Sequence, residues 1–327
     1  MKRNAITAFW TVVLAVLASG VVVLIAGQNP TAAANPGGQK PSAPGQEPAT
    51  SSHKISVTSD LVNVLFTVYD RKNHMVVDLT KDDVQVLENN LPQKVVSFSR
   101  ESDLPLRIGI LIDTSNSVRE RLHFEQEAAI DFLNATLRPG KDLAFVVGFD
   151  VQPQIVQDYT DDEESLAQAV RTLQAGGGTA LFDAMYSASK EKMLYFPPPE
   201  PYLRRVLIVI SDGLDNQSEH TRDEALAMAQ HGEVTVYAIS TNRNGISTKG
   251  DKVLTYLAHE TGGRAFFPFA ASDLSENFQE ISRELRSQYS LAYVPTNKNH
   301  DNTFRKITIA ARNKDFKVHA KSGYFFQ

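Results

Sequence analysis

The chain has 327 residues, a formal net charge of −5 at pH 7 and no cysteine. This length accommodates one large and one small domain, and 42% hydrophobic residues are enough for a buried core. The lack of cysteine excludes disulfide scaffolds, zinc–thiolate sites, cysteine nucleophiles and lipid attachment through cysteine. The mildly acidic balance, without a long basic run, argues against nucleic-acid binding.

Residues 1–27 have the pattern of a signal peptide or a membrane anchor. Lys2 and Arg3 precede an apolar stretch from Ala5 to Ala26, which is long enough for a secretory signal or for a bilayer span. Small residues near its end are compatible with signal peptidase cleavage, so a cleaved signal and a retained anchor both stay open. We expect the rest of the chain to be exported: periplasmic, cell-surface or secreted. Membrane contact is expected only through this segment.

The next two segments differ in composition. Residues 28–53 are rich in Pro, Gly, Ala, Ser and Gln and predict a disordered linker. Over 54–103, β-type alternation is clearest at 61–69, with shorter strand patterns near 84–87 and 95–98. This segment is too short to close a stable sheet alone.

Strands and helices alternate between residues 104 and 287. The predicted strands are 107–112, 143–149, 206–210, 234–239 and 264–267. The predicted helices are 128–137, 164–173, 182–194, 222–230, 253–261 and 273–286. Such repeated βα units predict an α/β fold with an open, mostly parallel, doubly wound (Rossmann-like) sheet flanked by helices.

The β pattern returns over residues 288–327, with alternation at 289–294 and 306–310. Each β flank is undersized by itself. We therefore expect the two flanks to pair, so that the α/β domain is inserted between the N-terminal half (54–103) and the C-terminal half (288–327) of one small β-sandwich.

Oxygen-bearing side chains follow two of the predicted strands. Asp113, Ser115 and Ser117 come directly after 107–112, Asp212 follows 206–210, and Thr179 ends a glycine-rich turn. The carboxyl ends of parallel strands form the ligand-binding edge of such a sheet. These hard oxygen donors suit Mg²⁺, or Mn²⁺ or Ca²⁺, better than a soft metal. Asp-x-Ser-x-Ser alone is more typical of a helix cap; the two further donors favour a metal site.

A candidate binding rim surrounds these donors, with a solvated loop as the alternative interpretation. It consists of Asn116, Gly178, Asp215 and Asn216. A phosphate-binding loop at the glycine run is disfavoured, because no Gly-Lys-Ser/Thr follows it.

The motif Asp113-x-Ser115-x-Ser117, followed by Gly178-Thr179 and Asp212-Gly213, resembles the metal-ion-dependent adhesion site of the von Willebrand factor type A family. The resemblance covers roughly residues 105–287. The flanks, through residues 82–88 and 322–324, also resemble the type-A-related exported proteins common in acidobacteria.

This resemblance implies a mechanism of ligand binding. Ser115 and Ser117 would bind the metal directly, Thr179 directly or through water, and Asp113 and Asp212 often through water. The coordination would be completed by a Glu or Asp of a protein ligand.

Three function classes follow from these features. The first is an exported binding module for adhesion or protein–protein interaction, and the second is a cell-envelope assembly or regulatory factor that docks one dedicated partner. A metal-dependent hydrolase is the remote third, because the chain has neither a Gly-x-Ser-x-Gly elbow nor an Asp-x-Asp phosphatase signature. We expect no enzymatic activity, and no residue pattern indicates an oligomeric state.

Overall fold

The structure is a computed structural model that describes residues 61–101, 103–195, 203–242 and 246–326. The signal or anchor and the linker, expected over residues 1–53, lie outside these ranges. Within them, no helix combines the length and the apolar character that crossing a bilayer requires.

The described residues form fourteen strands and six α-helices. The strands are β1 (Val62–Tyr69), β2 (Val84–Glu88), β3 (Leu91–Gln93), β4 (Val95–Glu101), β5 (Leu106–Asp113), β6 (Leu143–Phe149), β7 (Pro153–Thr160), β8 (Arg204–Ser211), β9 (Val234–Ser240), β10 (Ala265–Phe266), β11 (Gln288–Tyr293), β12 (Phe304–Ala311), β13 (Lys317–Ala320) and β14 (Gly323–Phe325). The helices are α1 (Leu122–Thr136), α2 (Glu163–Thr172), α3 (Leu181–Ser187), α4 (Arg222–His231), α5 (Lys249–Glu260) and α6 (Ala271–Leu285).

The α/β unit, β5–β10 with α1–α6, is built on a six-stranded sheet in the order β10-β9-β8-β5-β6-β7. All neighbouring pairs are parallel except β6 and β7. Every residue of β5 is buried, because helices cover both faces. Ile110 belongs to a core shared with α1, α2 and α6, and the adjacent Leu111 to one shared with α3, α4 and α5. The predicted doubly wound sheet is confirmed.

Two elements differ from the pattern expected from sequence. Strand β7 was not predicted, because its apolar residues Ile155 and Val156 are adjacent and its pairing with β6 shifts register, so no period of two appears. The helix expected over 182–194 is α-helical only to Ser187 and continues as a π-helix over Ala188–Leu194.

The β unit, β1–β4 with β11–β14, confirms the predicted pairing of the flanks. Its sheets have the orders β13-β1-β11-β4 and β14-β12-β2-β3, so each combines strands from both ends of the described chain. Val64 pairs with Leu291 in the first sheet, and Val86 with Ile309 in the second. All four side chains belong to one apolar core between the sheets.

A buried carboxylate reinforces this union of the flanks. Glu88 of β2 accepts hydrogen bonds from the hydroxyls of Tyr293 and Tyr324, both at 2.8 Å. Arg305 lies 3.5 Å from the same carboxylate. One residue from the N-terminal flank thus binds three from the C-terminal flank.

The β unit is attached to the α/β unit near the amino ends of the central strands. Lys321 forms an isolated antiparallel bridge with Thr261, just before β10, and the Ser322 amide donates to the Glu260 carbonyl at 3.1 Å. The Thr67 hydroxyl of β1 donates to Glu284, near the end of α6. The described part of the β unit therefore contacts the end of the sheet opposite to the carboxyl edge.

Candidate metal-binding site

The first part of the site is the loop that follows β5. Asp113 Oδ1 accepts the Ser115 amide at 2.9 Å, which folds the loop back on itself. The hydroxyls of Ser115 and Ser117 lie 2.8 Å apart. Helix α1 starts only at Leu122, with Arg121 at its N-cap, so the motif does not cap that helix. The two hydroxyls instead form an oxygen pair at the sheet edge.

Asp113 is completely buried, and its surroundings disfavour the charged form of its carboxyl group. Burial raises the pKa of Asp113 to about 6, although hydrogen bonds from Ser211 and Ser115 oppose the shift. The charge of Asp212 raises it further. Because a neighbouring positive charge favours the ionised form of a carboxyl, the position of Asp113 is suited to a cation.

The glycine-rich turn is held against the first loop by backbone and side-chain hydrogen bonds. The Gly176 amide donates to the Thr114 carbonyl at 2.7 Å, and Asn116 Nδ2 donates to the Gly177 carbonyl at 3.1 Å. The Ala180 amide donates to the Asp150 carbonyl at 2.7 Å. A turn that is flexible by composition is thereby fixed beside the two serines.

Thr179 is clamped by the loop that follows β8. Its amide donates to Asn216 Oδ1 at 3.0 Å, while its carbonyl accepts the amides of Asn216 and Gln217 at 3.0 and 3.1 Å. A Cβ on Gly178 would lie 2.6 Å from Gln217 Cγ and 2.7 Å from Asn216 Oδ1, so a larger residue there would have to displace these side chains. In the structure, Asn216 therefore holds Thr179 in position, and Gly178 leaves room for the Asn216 side chain.

Asp212 lies at the start of the loop that follows β8. Its Oδ1 accepts the Leu214 amide at 2.9 Å, and Gly213 between them has φ +77°. Asp215, also proposed for the rim, has a local structural role: its Oδ2 accepts the Phe182 amide at 2.9 Å and the Ser218 hydroxyl at 2.6 Å. It thereby satisfies a free amide in the first turn of α3.

These residues fit a hard divalent cation by their chemistry and by one distance. Adjacent oxygens of an octahedral Mg²⁺ site, at about 2.1 Å from the ion, lie roughly 3 Å apart. The Ser115–Ser117 separation of 2.8 Å is close to that value. The structure brings the loops of all five predicted donors to one edge, joined through Thr114, Asn116 and Asn216.

Sequence patterns did not identify Ser211, which donates from its hydroxyl to Asp113 Oδ2 at 2.7 Å and accepts the Gly213 amide at 3.0 Å. Strand register is the signal that could have revealed it. Ile112 pairs with Ile210, so the next residue of each strand must also be adjacent. Arg119 was also missed; its guanidinium donates to Asn116 Oδ1 at 2.8 Å and places a cation beside the site.

Comparison with known families gives one match over the region of the site. Residues 108–214 match the sequence model of the von Willebrand factor type A domain, a range that includes all five donors. No curated protein matches the chain significantly.

Solved structures resemble the chain only distantly. A von Willebrand factor type A protein from Catenulispora acidiphila is 12% identical with a TM-score of 0.48, and the match covers 82% of this chain and 74% of that one. Proximal thread matrix protein 1 from the mussel byssus, whose structure has a zinc-occupied MIDAS motif, is 16% identical with a TM-score of 0.48, covering 62% and 50%. The PilB minor pilin of Streptococcus sanguinis is 13% identical with a TM-score of 0.44, covering 56% and 62%. The chain thus spans less than two thirds of the length of the last two proteins.

Proposed function

We propose that the von Willebrand factor type A domain of this chain binds a protein ligand through a divalent cation. The observation that carries the proposal is the Ser115–Ser117 hydroxyl pair beside the buried Asp113. Thr179 and Asp212 complete the donor set from neighbouring loops. Mg²⁺ is the proposed ion, with Mn²⁺ and Ca²⁺ as the alternatives.

The chain's own groups explain why such a site would bind a partner. Ser115 and Ser117 offer neutral oxygens, and both oxygens of Asp113 already accept hydrogen bonds from Ser115 and Ser211. When bound, the ion supplies a positive charge that these groups neutralise only in part. A Glu or Asp of the ligand can therefore add a charge-assisted contact, and the surrounding loops can select the rest of the ligand.

We propose that the interaction takes place outside the cytoplasmic membrane, because Lys2 and Arg3 precede the apolar stretch 5–26. Adhesion is the primary form of the proposal, and docking of one dedicated envelope partner is the alternative. A metal-dependent pull-down from cell envelopes distinguishes them: one stoichiometric partner supports docking, and binding to surfaces or matrix supports adhesion.

We propose a binding role and no catalytic one. Asp113 and Asp212 are both engaged by hydrogen bonds that shape their own loops. Turnover of a generic ester or phosphate substrate that disappears in Asp113→Ala would contradict this part of the proposal.

The direct test is calorimetric titration of the full chain with Mg²⁺, Mn²⁺ and Ca²⁺. We expect saturable binding by wild type and its loss in Ser115→Ala/Ser117→Ala. Ser97→Ala, at an exposed serine of β4, is the matched control and should bind like wild type. Equal binding by the double variant and wild type, or no binding by wild type, would refute the metal site.

A further inference from the structure

Several exposed apolar side chains lie in loops at the carboxyl edge of the central sheet, including Ile246 after β9. Val151 follows β6, Leu214 follows β8, and Phe267 and Phe269 follow β10. Their exposed fractions are 46%, 51%, 51% and 68%. Single exposed apolar residues are ordinary on a protein surface, but several in loops at the same sheet edge require an explanation.

The strand order fixes how these side chains are arranged around the metal site. Along the edge, the loop after β6 comes first, followed by those after β5, β8 and β9, and the loop after β10 comes last. Val151 thus lies on one side of the metal-binding loops, and Leu214 lies in the same loop as Asp212. A Cβ on Gly177 would be 2.9 Å from Val151, and the Leu214 amide binds Asp212, so both apolar residues adjoin the site.

Phe267 and Phe269 extend this row on the Leu214 side. Strands β8 and β10 are two positions apart in the sheet, which corresponds to roughly 10 Å. An extended peptide covers that distance in about three residues. The whole row, consisting of Val151, Leu214, Phe267 and Phe269, extends over four strand spacings from β6 to β10, roughly 19 Å, which an extended segment covers in about six residues.

The position of the β unit explains why the row stays open. The described contacts of the β unit, such as Ser322 to Glu260 and Thr67 to Glu284, lie at the opposite end of the α/β unit. Arg119 adds a positive charge beside the metal site, where an acidic group would bind. The edge therefore combines the proposed acid-binding centre with apolar side chains on both sides of it, the two phenylalanines being on the β10 side.

We infer that this edge binds an extended segment of a protein partner in which an acidic residue is followed or preceded, about three residues away, by bulky apolar residues. The inference rests on the proposed function, since the acidic residue is the one that completes the metal site. The row binds the apolar residues of the segment, so that a partner with an acidic residue and nearby apolar residues is preferred over one with an acidic residue alone.

The test uses the full chain and a series of labelled synthetic peptides. Each peptide carries one Glu and a Phe-Phe pair about two to five positions away on either side. A matched peptide has Ser-Ser in place of Phe-Phe. Affinities are measured by fluorescence anisotropy in Mg²⁺ and in EDTA, for wild type, Phe267→Ser/Phe269→Ser, and the control Phe304→Ser, which alters an exposed phenylalanine of the β unit.

We expect wild type in Mg²⁺ to prefer at least one Phe-Phe peptide over its Ser-Ser match by about tenfold or more. The Phe267→Ser/Phe269→Ser variant should lose this preference while keeping the wild-type heat of Mg²⁺ binding, and Phe304→Ser should keep both. Loss of the peptide preference without loss of Mg²⁺ binding would show that the row contacts the peptide and does not contribute to metal binding.

Other results overturn the inference. If no Phe-Phe peptide is preferred although Mg²⁺ binds, the surface assignment is wrong while the metal site stands; if Mg²⁺ does not bind, the proposed function fails first. Metal-independent binding of phosphatidylcholine–phosphatidylglycerol vesicles that Phe267→Ser/Phe269→Ser abolishes would assign the row to a membrane. Self-association abolished by the same variant would assign it to a second copy of the chain.

Discussion

The Thr67 hydroxyl donates a hydrogen bond to the Glu284 carboxylate at 2.9 Å, joining the first strand of the β unit to the last helix of the α/β unit. Both side chains are buried. Burial raises the pKa of Glu284, while the charge of Arg264, 3.6 Å away, opposes the shift. Burial and then the charge of Glu284 raise the pKa of Tyr237 well above its usual value. The two units are therefore joined through a polar contact in a dry environment.

Replacing Thr67 with valine keeps the shape of the side chain but removes the donor to Glu284. Because a buried carboxylate oxygen then loses a partner, we expect the free energy of unfolding to fall by about 1–3 kcal/mol. Urea denaturation measures the change. Thr308→Val, at an exposed threonine of β12, is the control and should have little effect. Equal stability of Thr67→Val and wild type would show that the contact contributes nothing.

Asn216 is predicted to control metal affinity without being a ligand. In Asn216→Ala the Thr179 amide loses its side-chain acceptor, so the Thr179 hydroxyl is less well positioned. We expect the Mg²⁺ affinity to fall by roughly 10–100-fold, the range for groups that orient metal ligands. Calorimetric titration tests this, with Asn134→Ala, at an exposed position of α1, as control. Unchanged affinity in Asn216→Ala would confine that residue to a structural role in the loop.

The contrast between Asp113 and Asn216 shows what sequence could reveal about the site. Asp113 ends strand β5, and Ser115 and Ser117 follow it; because residues 108–112 of the strand are all apolar or glycine, local pattern alone places these three residues at the sheet edge. The contact between Asn216 and Thr179 joins positions 37 apart, and no local pattern encodes it. Asparagine in a polar loop is equally typical of a solvated turn.

The fold shows the same division between local and long-range information. Burial of both sheet faces gave β5 and β8 continuous apolar runs, which made the central sheet predictable. Strand β7 lies at the edge of the sheet and pairs irregularly with β6, so its apolar residues do not alternate. The sandwich followed from the small size of each flank, but the pairing of Glu88 with Tyr293 and Tyr324 depends on register that only the structure supplies.

His319 is predicted to make the protein less stable in mild acid. Burial, followed by the positive charges of Arg264, His259 and Lys317, lowers the pKa of His319 to about 4. The unfolded value is about 6.5. A folded-state pKa below the unfolded one gives stability that is complete above about pH 6.5 and is lost as the pH falls towards 4.

We expect His319 to account for roughly 2 kcal/mol of this loss, after allowing for its partial exposure. Urea unfolding of wild type and His319→Gln between these pH values, in EDTA so that the metal site does not contribute, measures the difference in slope. His123→Gln, at an exposed histidine of α1, is the control and should follow wild type. Parallel pH profiles for wild type and His319→Gln would contradict the assignment.

Asp142 and Asp103 both form an ion pair with Arg138, but Asp142 is buried and Asp103 is exposed. The two residues therefore allow the contribution of a buried charge to be compared with that of an exposed one. Asp142 is fully buried; its Oδ2 accepts from Arg138 Nε at 2.9 Å and from Arg286 at 2.5 Å, and its Oδ1 accepts the Leu106 amide at 2.8 Å. Burial raises its pKa, but the hydrogen bonds from Arg138, Arg286 and the Leu106 amide, together with the charge of Arg286, lower the pKa overall. Asp103 contacts Arg138 at 2.6 Å with 78% of its side chain exposed.

Removing one partner of a buried ionic network leaves the other charges uncompensated, whereas an exposed ion pair is largely replaced by water. We therefore expect Asp142→Ala to lower the free energy of unfolding by about 3 kcal/mol and Asp103→Ala to leave it nearly unchanged. The bond between Asp142 and Arg286 links the start of β6 to the segment between α6 and β11, so the loss should appear in both units as one cooperative transition. Far-ultraviolet circular dichroism and tyrosine fluorescence during urea unfolding test this together. Equal effects of the two substitutions would contradict this prediction. They would mean that Arg138 and Arg286 are as well hydrated after the loss of Asp142 as an arginine at the surface.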